Sequence, residues 1–143
     1  MAAEPGRVMG IDYGSRRVGI AVSDPLRIIT RGLGALDNVP GLIESIAAKV
    51  REEQVVLIVV GMPFAPDGGP GAKGEEVGRF IEVLRAQVTV PVGIWDESFT
   101  TVDARRAFID GGMKKRKRQQ KGRVDEMAAR LLLQEYLEST SHS

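Results

Sequence analysis

The residues of this chain best suited to chemistry are acids. Asp12 ends an apolar run in VMGIDYGSRRVGIAVS, between Gly10 and Gly14. Asp96 and Glu97 follow a second apolar run in IWDESFTT, and Asp125 opens an apolar helical stretch in KGRVDEMAARLLLQ. Carboxylates held together repel one another and raise their own pKa values unless cations join them. Hard divalent ions with oxygen ligands, Mg²⁺ or Mn²⁺, are the natural partners. Two such ions about 4 Å apart activate a water and stabilise the leaving oxygen in phosphodiester cleavage. Each acid also has an ordinary structural use: Asp12 in a hairpin turn, Asp96 or Glu97 in a loop or cap, and Asp125 at a helix N-terminus where it suits the macrodipole. On its own stretch Asp12 reads slightly better as a turn residue. The joint placement of the acids moves it to a metal ligand. Glycine beside an acid leaves room for a ligand or a second backbone, and with the acids assembled Gly10 and Gly14 read as clearance for metal and phosphate.

Composition narrows the alternatives. The chain has 143 residues, no cysteine and a single histidine, His142, in the tail STSHS. Disulfides, thiol nucleophiles and cysteine zinc sites are excluded, and Ser–His triads and histidine metal sites are untenable with one histidine in a frayed end. Catalysis must run on carboxylates, hydroxyls, Lys, Arg or a metal held by oxygens. The lack of cysteine fits a reducing cytoplasm, the expected location. No apolar run approaches the roughly 20 residues of a membrane helix, and MAAEPGR lacks the layout of a signal peptide. The net charge of +1 conceals an asymmetry. KKRKRQQKGR, residues 114–123, holds seven of the 20 basic residues and none of the 19 acidic ones, so the rest of the chain is net acidic. This block is internal and followed by an apolar helix. It therefore reads as a polyanion-binding stripe of Lys114, Lys115, Arg116, Lys117, Arg118, Lys121 and Arg123 ahead of a merely solvated loop.

Positioning these groups falls to an α/β scaffold. Residues 7–13 and 17–23 read as a hairpin about Gly14 and Ser15, and 27–36, entered by a turn at Asp24 and Pro25, as a third meander strand. Leu42, Ile43, Ile46, Ala47 and Val50 recur at helical spacing and predict an amphipathic helix over 42–53. VVLIVV, residues 55–60, is apolar at every position, as a strand covered on both faces must be, and its helical connection implies a parallel neighbour. MPFAPDGGPGAKG, residues 62–74, with three prolines and four glycines, reads as a functional or mobile loop. There follow a helix over 75–86, a strand over 88–95 that Pro91 assigns to an edge, a short helix over 100–110 and a final helix over 124–137. The order predicts a five-stranded mixed sheet, three antiparallel meander strands plus two parallel ones, flanked by helices in a single domain over 1–143, with flexible tails at about 1–6 and 138–143. Ligands gather at the carboxyl ends of parallel strands. If the first and last strands run parallel, Asp12 and the pair Asp96–Glu97 share one edge. The small side chains of Ala128 and Ala129 let the helix end bearing Asp125 pack close to it.

GIDYGSRRVGIAVSD, VVGMPFAPDG, DESFTTVDAR and KGRVDEMAARLLLQEYL resemble, in order and spacing, the YqgF/RuvX family of bacterial proteins. One such motif is weak; four in order, over residues 8–137, are specific. The resemblance implies an RNase H-like fold, kinship with Holliday junction resolvases, and a nuclease that processes the 5′ end of pre-16S rRNA. It implies Asp12, Glu97 and Asp125 as the catalytic metal-binding acids, and it matches Lys121 and Arg123 to the basic residues that precede the helix acid. The family usually has Arg after the Asp–Glu pair, where this chain has Ser98. The phosphate contact of that Arg then passes to Arg105, Arg106 or the basic block.

The partners implied are two Mg²⁺ or Mn²⁺ ions and either structured RNA (pre-rRNA) or branched DNA, with no membrane. A two-fold junction calls for a homodimer, whereas RNA trimming is open to a monomer. Two other classes stay in view. ATP-binding modules of the actin, Hsp70 and sugar-kinase type also begin with a strand, an Asp-x-Gly turn and a hairpin, but they close two such domains over the nucleotide. A non-catalytic ribosome-assembly factor would use the basic block alone and bind RNA with a steep salt dependence.

Overall fold

The computed structural model describes residues 6–63, 71–97, 106–107, 111 and 121–141. Strands β1 (Arg7–Tyr13), β2 (Arg17–Ser23), β3 (Thr30–Asp37), β4 (Val55–Met62) and β5 (Val92–Asp96) form one sheet in the order β3-β2-β1-β4-β5. β2 pairs antiparallel with β1 and β3, while β4 runs parallel to both β1 and β5. This is the expected mixed sheet, with β5 at an edge. Helices α1 (Leu42–Glu52), α2 (Gly71–Gln87) and α3 (Lys121–Ser141) flank it. No described helix is long and apolar enough to cross a membrane.

Alternation along the strands divides the core in two. Met9, Ile11, Val18, Ile20, Ile58 and Val60 pack with Ile46 of α1 and with Val77, Ile81 and Leu84 of α2. On the other face Val8, Ala21 and Val59 pack with Ala129, Leu132, Leu133 and Leu137 of α3. The all-apolar β4 is thus covered on both sides, as its composition requires. Each of the Val, Leu, Ile and Met side chains among these contributes about 1.5–3 kcal/mol on burial. A one-residue slip would exchange the faces, so the register is strongly specified.

Boundaries move where a specific contact outweighs the local pattern. β3 begins at Thr30, later than expected, because the Asp24 carboxylate accepts the backbone N–H groups of Ile28 (2.7 Å) and Ile29 (2.8 Å). Arg27 closes that turn in the left-handed region, at φ 61°, and donates from Nε to the Gly6 carbonyl at 3.0 Å. Gly6 N–H donates in return to Pro25 O at 2.9 Å, so residue 6 is tied to the sheet and not part of a loose tail. β5 starts only after Pro91, which has no N–H for the ladder.

α2 begins at Gly71, so residues 71–74, expected in a loop, form its first turn. Gly74 is buried there, and Glu76 accepts from Ser15 Oγ at 3.1 Å and pairs with Lys73 at 3.4 Å, which overrides the poor helix propensity of glycine. α3 starts inside the basic block and runs past the expected end at 137, where Thr140 Oγ1 donates to the Tyr136 and Leu137 carbonyls. Residues 138–141 are therefore helix and not tail. The helix expected over 100–110 lies outside the described residues apart from 106–107, which are helical, and residues 64–70 of the glycine–proline segment also lie outside them.

Candidate active site

Alternation places Asp12 on the α3 face of β1, with Val8 and Gly10. It pairs with Gly19 of β2. On its other side, one step beyond the Ile11–Val60 pair, lies Gly61 of β4, itself paired with Trp95 of β5. Asp12 thus stands between two glycines, each about one strand spacing (roughly 4.8 Å) away. Other parts of the chain fill the space above both. A Cβ on Gly61 would fall 2.2 Å from Glu97 Oε1, and a Cβ on Gly19 would fall 1.9 Å from the carbonyl oxygen of Asp125. The glycines let the Glu97 carboxylate and the amino end of α3 settle on either side of Asp12. All three acids are half-buried.

The seat of α3 is itself legible in the residues around it. Glu126 Oε2 accepts the Gly34 backbone N–H at 2.5 Å, and its side chain fills the space over Gly32, where a Cβ would lie 2.4 Å from Glu126 Cδ. Further along, a Cβ on Gly10 would meet Leu133 Cβ at 2.8 Å. Gly10 therefore makes room for the helix, and not for metal and phosphate as expected. Gly14 serves its own turn, since a Cβ there would stand 2.5 Å from Arg17 O. Asp125 does not begin the helix. It is the fifth residue of α3, whose first turn has no acid, so complementing the macrodipole is not its role.

Arg17 makes an ion pair at this edge. Its Nε donates to Asp125 Oδ2 at 2.8 Å, with the two side chains 28% and 26% exposed. Arg17 lies two residues before Gly19 and so on the same face as Asp12. Of the adjacent pair Asp96–Glu97, only Glu97 joins the others. Trp95 packs on the α3 side, so alternation sends Asp96 to the opposite face. Among the described residues no three Asp, Glu, His or Cys side chains close on a common point as a finished metal cage. Asp12, Glu97 and Asp125 are gathered at one edge of the sheet, and carboxylate oxygens are donors of the kind that a hard divalent ion takes.

Of the basic residues, Arg123 is exposed and pairs with Glu126 at 3.5 Å, and Arg106 is exposed. Lys121 is the first residue of α3. Lys114, Lys115, Arg116, Lys117, Arg118 and Arg105 lie outside the described residues, as does Ser98. A concavity of about 450 Å³ lies on the other face of the sheet, between α1 and α2, with Tyr13 and Phe80 in its wall and none of the three acids.

Arg17, Glu126, Gly19 and Gly61 are the residues that the sequence reading passed over. For two of them a signal existed. A short turn after Tyr13 sets Val18 opposite it, which places Gly19 opposite Asp12 and Arg17 on the same face.

The family described as RuvX, Holliday junction resolvase, matches residues 6–139. A protein of Roseiflexus sp. (strain RS-1) named "Putative pre-16S rRNA nuclease" is 39% identical over 141 residues, covering 97% of this chain and 99% of that one. One of the same name from Clostridium novyi (strain NT) is 39% identical over 135 residues, covering 93% and 98%. Among solved structures, T. thermophilus RuvC in complex with Holliday junction substrate aligns with a TM-score of 0.62 at 16% identity, over 96% of this chain and 97% of that one. Fowlpox virus resolvase in complex with Holliday junction DNA aligns with a TM-score of 0.60 at 14% identity, over 94% and 98%. At such identities the likeness establishes the fold, which is RNase H-like as expected. The match in sequence over nearly the whole length establishes more: the chain belongs to the RuvX family of Holliday junction resolvases, a nuclease family.

Proposed function

We propose that this nuclease hydrolyses phosphodiester bonds with divalent cations held by Asp12, Glu97 and Asp125, and that its substrate is the 5′ end of pre-16S rRNA. One observation carries the reading: Asp12 stands between two glycines, one covered by the Glu97 carboxylate and the other by the backbone of Asp125. An all-oxygen set of three acids on one face of one sheet edge suits two Mg²⁺ or Mn²⁺ ions. When bound, such ions activate a water and neutralise charge on the leaving oxygen. The chain contributes position. The ladder to β2 fixes Asp12, the gap over Gly61 seats Glu97, and α3, anchored through Glu126 on Gly34, sets Asp125.

Lys121 and Arg123 at the amino end of α3, with Lys114, Lys115, Arg116, Lys117, Arg118 and Arg105, hold the phosphate backbone. That hold weakens as salt rises. Identity of 39% to relatives named for pre-16S rRNA supports the RNA substrate. The family's description supports a second reading, resolution of branched DNA by a homodimer, where RNA trimming requires only a monomer. Both readings place the protein in the cytoplasm with no membrane partner.

The test incubates wild-type protein and Asp12→Asn with Mn²⁺, precursor rRNA and a four-way DNA junction side by side. The wild type is expected to cut the RNA, and the variant to fall to background with unchanged circular dichroism and melting. Cleavage of the junction alone would transfer the assignment to the second reading. Full activity of Asp12→Asn, or RNA binding without cleavage at any metal concentration, would overturn the proposal.

A further inference from the structure

Arg17 commits one donor to the site and keeps the others available. Its Nε donates to Asp125 Oδ2, and its two terminal nitrogens make no hydrogen bond among the described residues. A guanidinium presents five donors in a planar fork that fits a phosphate bidentately. Here the fork lies at the edge where Asp12, Glu97 and Asp125 are gathered, on a side chain 28% exposed. The pair removes one negative charge from that edge. A cation bound through Asp125 competes for the same carboxylate and brings two further positive charges beside a guanidinium that cannot lose its own. A cation on Oδ1 would still face the guanidinium on Oδ2 as a like charge across one carboxylate, so the two compete for Asp125.

We propose that Arg17 is the exchangeable counter-ion of the site. It neutralises Asp125 in the metal-free protein, yields that carboxylate to the divalent cation, and turns its terminal nitrogens to the phosphate of the bound strand. The inference rests on the metal-dependent reading above and adds to it a phosphate contact outside the basic block. The position suits both partners: Arg17 is on β2, on the α3 face, two residues from the glycine that pairs with Asp12. Lysine at this position would retain the charge without the fork.

The test titrates MnCl₂ calorimetrically into wild-type protein, Arg17→Gln and Arg17→Lys without nucleic acid, with Asp12→Asn identifying the heat that belongs to the site. Arg17→Gln is expected to bind Mn²⁺ roughly 3- to 5-fold more tightly, the scale on which partly exposed ion pairs act, and Arg17→Lys to stay within about 2-fold of wild type. A second arm measures the anisotropy of a labelled precursor-rRNA fragment in Ca²⁺. There both variants are expected to bind about 10-fold more weakly, as the removal of a bidentate charged interaction implies. Mn²⁺ affinity unchanged or reduced in Arg17→Gln would overturn the proposal, since Arg17 would then merely orient Asp125. Unchanged RNA affinity in both variants would also overturn it. If Arg17→Gln does not fold, the RNA arm with Arg17→Lys decides. Absence of any Asp12-dependent Mn²⁺ heat in the wild type would bring down the metal-dependent reading together with this one. Normal wild-type binding with silent Arg17 variants brings down this one alone.

Discussion

The carbonyl oxygen of Asp125 rests on Gly19, so close that a Cβ at position 19 would stand 1.9 Å from it. Gly19 is the β2 partner of Asp12. The helix acid and the strand acid are therefore brought to neighbouring strands by backbone contact, with no side chain between them.

Gly19→Ala follows from that contact. The obstacle is backbone, which cannot rotate aside, so the amino end of α3 must lift from the sheet. Stability is expected to fall by about 1–3 kcal/mol, the cost of overpacking, and Mn²⁺-dependent cleavage to fall with it. Urea denaturation alongside initial rates checks both, and wild-type stability in the variant would show that α3 is not seated on Gly19.

Gly61→Ala should behave differently. The added methyl meets only the end of a flexible side chain, Glu97 Oε1, which can swing away. Stability is expected to change by less than about 1 kcal/mol, since the neighbour that must give way is a side chain and not backbone. The displaced carboxylate should lower kcat by about 10- to 100-fold, the scale of ångström-level misplacement. Equal activity would count against Glu97 as a metal ligand.

Glu126 anchors the helix on the sheet. Glu126→Ala leaves the Gly34 N–H, now bonded at 2.5 Å, without its acceptor. The expected cost is about 1–3 kcal/mol. Hydrogen exchange at the Gly34 amide should speed up, and Glu126→Gln, which keeps a carbonyl oxygen there, should recover part of both effects.

Asp24 makes a pH prediction. The N–H of Ile29, then those of Ile28 and Leu26, hold its carboxyl below the ordinary carboxylate value of 3.8. A folded pKa below the unfolded one means that the charged form favours the fold above the ordinary range, and that this contribution disappears as pH falls through the folded value. Asp24→Asn should thus be less stable than wild type near neutrality, with the gap closing in acid below the ordinary value. A gap that stayed constant through the acid range would exclude the charge as its cause.

The basic block makes a salt prediction. Replacing Lys114, Lys115, Arg116, Lys117 and Arg118 with Ser should weaken RNA binding. The dependence of log K on log salt should become shallower by about 0.7 for each phosphate that the block no longer neutralises. An unchanged slope would remove the block from the binding surface.

Local pattern determined a good deal of this protein. β1 and β2 occupy 7–13 and 17–23 as their alternation and turn require, and the all-apolar β4 lies between β1 and β5, covered on both faces. These features depend on period and composition, which a short window contains. That Asp12 and an acid of the Asp96–Glu97 pair reach one edge also followed, since strands of parallel direction end together. Tertiary structure decided the rest. Asp24 withdrew two residues from the β3 ladder, and burial of Gly74 pulled a glycine-rich stretch into α2. The register separated Glu97 from Asp96, and α3 came to rest on Gly10, Gly19 and Gly32. Arg17 and Asp125, 108 residues apart, met only then. A glycine in a sequence records a missing side chain and nothing about what fills the gap. That is set by the element that packs across it, and packing is a property of the whole chain.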